Sequence, residues 1–159
     1  MKTKTKSILL AGVLMLSGCD FLGVADEPPL ALADGTTMNV EDWHGRWLLI
    51  NYWAEWCAPC RKEIPELNRL QAEVGEERLL VIGVNFDGLT GQRLAELIKK
   101  MDVRFPVLLE DPRGRWGVEQ PTVLPSTLVI APNGRLEEVL VGPHTFESFS
   151  RALGLTAST

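Results

Sequence analysis

The sequence predicts an α/β fold with a mixed central sheet, and three observations carry that expectation. Near-continuous apolar runs at Arg46 to Trp53 and Arg78 to Phe86 have the composition of strands covered on both faces. Each run is followed by apolar residues spaced by three and four, the period of an amphipathic helix. A hairpin pattern and a terminal helical segment come last, and strand, helix, strand, helix, hairpin and helix in that order imply a mixed sheet with helices on both faces.

The elements follow in chain order. Leu30 to Leu32, the turn Asp34-Gly35 and Thr37-Met38 read as a small hairpin, and Val40 to Trp43 as one helical turn. After the Arg46 to Trp53 strand, Pro59 to Gly75 carries Ile64, Leu67, Leu70 and Val74 on one face, with Gly75 closing the helix. Past the second strand, Thr90 to Met101 places Leu94, Leu97, Ile98 and Met101 on one face, and Phe105 to Leu109 is a short strand. Ser126 to Ile130 and Leu136 to Val141 flank Pro132-Asn133-Gly134, a hairpin signal, and Thr145 to Leu153 is a last helix.

Length and composition bound the class of function. The 159 residues suit one domain with a real core, and 45% hydrophobic against 23% charged residues exclude wholesale disorder. A sequence pI near 5.1 argues against nucleic-acid binding. Three cysteines are too few for a disulfide-stapled scaffold.

The N-terminus reads as a secretion signal over residues 1–18: Lys2, Lys4 and Lys6 without an acid, then the apolar run Ile8 to Leu16, then Ser17-Gly18. The run is about half the ~20 residues a bilayer-spanning helix needs, which disfavours an uncleaved anchor. Leu16-Ser17-Gly18-Cys19 resembles the lipobox of bacterial lipoproteins, which implies lipidation of Cys19 and a lipid attachment to the membrane; a soluble secreted protein is the plainer alternative. By analogy with lipoprotein sorting, Asp20 suggests the periplasmic face of the inner membrane. Removing 18 residues and three lysines from a chain of charge −5 leaves 141 residues at −8. Residues 19–29, with Pro28-Pro29, read as a linker, and residues 30–159 as the domain.

The chemistry sits where the first long strand meets its helix. Trp56-Cys57-Ala58-Pro59-Cys60 opens a helix directly after a buried strand, the setting of a redox dithiol. Three-residue spacing on a first helical turn lets the sulfurs bond with little backbone movement, and a helix N-terminus stabilises a thiolate. Cys57 is expected to be the exposed nucleophile and Cys60 the resolving thiol. Three alternatives stand beside this, of which incidental core cysteines fit the Trp-Cys-Ala-Pro-Cys setting least. A zinc site needs two more ligands, and His44 and His144 are isolated and far apart. A purely structural disulfide would close so small a loop that it constrains the unfolded chain little. No metal and no cofactor beyond the cysteine pair is expected.

Asn51-Tyr52-Trp53-Ala54-Glu55-Trp56-Cys57-Ala58-Pro59-Cys60-Arg61-Lys62-Glu63 resembles the active-site stretch of thioredoxin-like proteins, and Cys-Arg-Lys-Glu-Ile-Pro resembles the TlpA, ResA and DsbE branch. The resemblance runs from about Leu30 to the end. It implies a thioredoxin-like fold with an N-terminal hairpin and an inserted helix-strand unit, for which Thr90 to Leu109 is the candidate. It also implies a membrane-tethered, extracytoplasmic thiol-disulfide oxidoreductase that reduces protein disulfides, the CxxC of apocytochrome c among the substrates, with electrons from a membrane donor of the DsbD or CcdA kind. Nothing in the sequence specifies a dimer interface, so a monomer is expected. A dithiol oxidase, or a non-catalytic lipoprotein binding a partner or metal, are the competing functions.

The resemblance also places residues. Leu124-Pro125-Ser126 sits like the family's cis-proline loop, in which Leu124 would offer its backbone to an extended substrate. Thioredoxin carries a buried Asp where this chain has Asn51, which does not titrate, so the proton acceptor lies elsewhere. Glu63, three after Cys60 on the same helix face, matches an active-site Glu of ResA-like members and would tune the thiols; read from the residues alone, it is as well a solvated helix residue. Trp56 would shield the disulfide and contact substrate. Trp47 and Trp53 read as core. Trp43 and Trp116 receive no role, and His44 and His144 read as loop residues.

Overall fold

The computed structural model describes residues 27–155. The signal segment, Cys19 and the linker as far as residue 26 lie outside the described residues.

Glu27 to Pro29 are exposed, and β1 begins at Leu30. Strands β1 (Leu30–Ala31) and β2 (Thr37–Met38) pair antiparallel with Leu30 opposite Met38, across a turn in which the Thr36 N–H donates to Asp34 Oδ1 at 2.9 Å. A 3-10 turn occupies Val40–Trp43. The main elements are then β3 (Trp47–Trp53), α1 (Ala58–Val74), β4 (Leu79–Asn85), α2 (Gly91–Lys100), β5 (Val107–Leu108), β6 (Ser126–Ile130), β7 (Leu136–Val141) and α3 (Phe146–Ala152).

The five-stranded sheet is ordered β5-β4-β3-β6-β7. Strands β3, β4 and β5 run parallel, with helices in the crossovers that parallel pairing requires; β6 runs antiparallel to β3 and to β7. The Thr90 to Leu109 unit thus adds α2 and the edge strand β5 to the sheet. A second 3-10 turn, Pro112–Trp116, was not legible as helix in the sequence; Asp111 caps it by accepting the Arg113 N–H.

Alternation along β3 divides the core in two. Leu49 and Trp53 join Ile64, Leu67 and Leu70 of α1, Leu94 and Leu97 of α2 and Phe149 of α3 on one face. Leu48, Ile50 and Tyr52 meet Leu30, Leu32, Trp43 and Leu128 on the other. Both faces carry helix, but unequally: the three α-helices share one, while the hairpin and the 3-10 turns cover the other. There Trp43 and Trp116, unassigned from sequence, stack with ring centroids 6.2 Å apart and close the cluster. Each fully buried Leu or Ile adds about 1.5–3 kcal/mol of apolar transfer free energy, so these two layers fix β3 rigidly between them.

Candidate active site

Strand β3 ends at Trp53, and four residues later Cys57 caps α1. Cys57 lies outside the helix at φ −78°, ψ 96°, and its Sγ accepts the Cys60 N–H at 3.1 Å, one of the donors a helix start leaves without a partner. Ala58 and Pro59 fill the first turn, where a missing N–H costs nothing. The two cysteines form a disulfide, with S–S 2.02 Å and Cα–Cα 5.3 Å.

The expected exposure of Cys57 is corrected by the structure. Cys57 is 3% and Cys60 1% exposed. The capping position turns the Cys57 sulfur over the first turn of α1, into the same cluster as Trp53, Ala54 and Ile64. Trp56 is 62% exposed; its indole N–H donates to Asp87 Oδ1 at 3.1 Å and its ring meets Phe86 edge-on at 6.1 Å. The side chain therefore leans toward the loop after β4 and stands beside the cysteine pair as an open apolar surface. Glu55 is exposed and paired with Lys100 at 2.7 Å, and that hydrogen bond holds its carboxyl below the usual range.

Glu63 is not a solvated helix residue: it is 1% exposed. Asn51 Nδ2 donates to Glu63 Oε1 at 2.7 Å, and the His144 backbone N–H donates to Oε2 at 2.7 Å. Burial pushes the carboxyl up to about 7, against the His144 and Asn51 hydrogen bonds, which favour the ionised form. A carboxyl of this kind takes or gives a proton near neutral pH, one helical turn past Cys60.

The remaining residues reach the same end of the sheet through strand register. The Leu124-Pro125 peptide is cis, and Ser126 pairs with Tyr52 near the carboxyl end of β3. Leu124 is half-buried and Pro125 buried. The Gly142 N–H donates to Pro125 O at 2.9 Å, tying this loop to the one that carries His144. Sequence reasoning missed three contributors: the donor role of Asn51, Thr127, whose Oγ1 accepts from Asn51 Nδ2 at 2.9 Å, and the backbone of His144. For Asn51 a signal existed, since β3 alternation puts it on the face of Leu49 and Trp53 that α1 covers. Among the described residues no group of three metal-ligating side chains occurs, and no helix is long and apolar enough to cross a membrane.

Comparison with known proteins matches residues 25–139 to the AhpC/TSA family. A thiol-disulfide oxidoreductase ResA from Oceanobacillus iheyensis is 32% identical over 114 residues, which span 72% of this chain and 59% of that protein's length. A thiol:disulfide interchange protein DsbE homolog from Paracoccus denitrificans is 40% identical over 106 residues, 64% of this chain and 54% of the relative. Among solved structures, a thiol:disulfide interchange protein of the thioredoxin family from Chlorobium tepidum superposes with a TM-score of 0.66 at 25% identity, covering 82% of this chain and 98% of the other. The fold is thioredoxin-like.

Proposed function

This chain belongs to the AhpC/TSA family, and from that premise we propose that it is a thiol-disulfide oxidoreductase, tethered through Cys19 to the outer side of a membrane, that reduces protein disulfides with the Cys57-Cys60 pair. The observation that carries this reading is a buried carboxyl, Glu63, one turn beyond a cysteine pair set at a helix N-terminus.

In the reduced protein the Cys57 thiolate attacks one sulfur of the substrate disulfide. A mixed disulfide forms and the first substrate thiolate departs, to be protonated by solvent. Cys60 gives its proton to Glu63 and attacks Cys57 Sγ, which expels the second substrate thiolate and closes the Cys57-Cys60 disulfide seen in the structure. Two electrons pass from the dithiol to the substrate, and an external dithiol on a membrane donor of the DsbD or CcdA type restores the pair. Leu124, Pro125 and Trp56 lie at the same end of the sheet and supply the surface on which an extended substrate segment would rest. An apocytochrome c CxxC, implied by the resemblance of the active-site stretch, is one such substrate, and the Leu16-Ser17-Gly18-Cys19 stretch with Asp20 supports a lipid-anchored location at the periplasmic face of the inner membrane.

The test is reduction of insulin by wild type, Cys57→Ser and Cys60→Ser under a dithiol supply. Loss of turnover in both variants is expected. Equal turnover in all three would remove the pair from the reaction.

A further inference from the structure

Asn51 stands where strand β3 faces both α1 and β6. It is 1% exposed, and its single amide nitrogen serves two acceptors: Glu63 Oε1 at 2.7 Å and Thr127 Oγ1 at 2.9 Å. Thr127 is also its partner in the β3-β6 register. The amide is therefore anchored on a neighbouring central strand before it reaches the carboxyl. A buried amide is costly unless its donors are used, and here both hydrogens are.

We propose that Asn51 is a positioning residue for thiol-disulfide exchange, fixing the Glu63 carboxyl beside the cysteine pair through an amide anchored on Thr127. The inference rests on the reading of Glu63 as the proton partner of Cys60.

The physical argument is one of alternatives. An apolar residue at position 51 would leave Oε1 without a donor in a dry site, and Glu63 would hold its proton more firmly. An Asp would set two carboxyl groups in hydrogen-bond contact, of which one must stay protonated. Asn alone gives the carboxyl a fixed neutral donor. Other titratable groups lie on the elements packed around Glu63. On α1, Cys60 stands three residues before Glu63 and Glu66 three after it, with Glu66 Oε2 accepting the Phe146 N–H at 3.0 Å, and Cys57 sits at the helix cap. The loop before α3 carries His144, whose Nδ1 lies 3.2 Å from Ser148 Oγ. On β3 the neutral Asn51 donates to Glu63, and on β6 the neutral Thr127 accepts from Asn51.

The test is the pH dependence of iodoacetamide alkylation of the reduced full-length protein, which reads the thiols without turnover or substrate. Four variants are compared with wild type: Asn51→Ala, Asn51→Asp, Glu63→Gln and the exchange pair Asn51→Asp with Glu63→Gln. The inflection contributed by Glu63 should move up by about one pH unit in Asn51→Ala, as expected for losing one hydrogen bond to an ionised group. It should vanish in Glu63→Gln and return in the exchange pair, where the acid sits on the strand and the amide on the helix. If Asn51→Ala does not fold, the near-isosteric Asn51→Asp replaces it, with an inflection raised further by the second carboxyl. An Asn51→Ala or Asn51→Asp profile that overlays wild type, or an exchange pair that behaves as Glu63→Gln, overturns the role of Asn51 while leaving that of Glu63. A Glu63→Gln profile that overlays wild type overturns both.

Discussion

The Glu63 carboxylate meets the Asn51 amide nitrogen at 2.7 Å, across a separation of 12 residues in the chain and sealed between α1 and β3. The contact joins the helix that holds the cysteine pair to the strand that leads into it.

A buried acid lifted from 4.5 to about 7 makes stability depend on pH. The folded state binds the Glu63 proton more tightly than the unfolded chain does. Its contribution is therefore complete below about pH 4.5, declines as pH rises, and is fully lost above about pH 7. The loss is on the order of 3 kcal/mol for a shift of this size. Denaturant unfolding at stepped pH should show this decline in wild type and a flatter curve in Glu63→Gln. Parallel curves would mean that Glu63 is not the group responsible.

Gly83 lies in the middle of β4, where an added Cβ would come within 2.8 Å of Trp53 Nε1 and 3.0 Å of Phe105 Cε2. Trp53 is fully buried and has no room to withdraw. Gly83→Ala should destabilise by about 1–3 kcal/mol through overpacking, seen as a lower denaturant midpoint at unchanged slope. An unchanged midpoint would show that the layer of Trp53, Phe105 and Val107 over β4 has slack that the packing does not suggest.

Much of the fold was legible because burial writes itself into composition. The apolar runs of β3 and β4 and the three-and-four spacing of Ile64, Leu67 and Leu70 follow directly from which faces are covered. The cysteine pair was legible because its chemistry needs fixed spacing at a helix start. The polar site was only half legible. Glu63 could be read as buried or solvated, and its partners Asn51 and His144, with Thr127 behind Asn51, come from three other segments, joined by register and loop closure that no local pattern encodes. Cys57 was misjudged as exposed because its capping geometry folds the sulfur inward.

Trp56 separates recognition from folding. At 62% exposure it contributes little packing, so Trp56→Ala should change stability by no more than about 0.5 kcal/mol. Reduction of a protein disulfide should slow several-fold more than reduction of a small aromatic disulfide, since only the former spans the surface around the pair. Equal slowing of both would assign Trp56 to the thiols themselves.

The division of labour between the two sulfurs is tested most directly by trapping. Reduced Cys60→Ser is mixed with a disulfide-bonded apocytochrome peptide, quenched with acid and mapped by mass spectrometry, beside Cys57→Ser under the same conditions. The expected result is a peptide linked through Cys57 in Cys60→Ser and no adduct in Cys57→Ser. An adduct through Cys60 in Cys57→Ser at equal yield, or none in either protein, would contradict attack by Cys57 and resolution by Cys60.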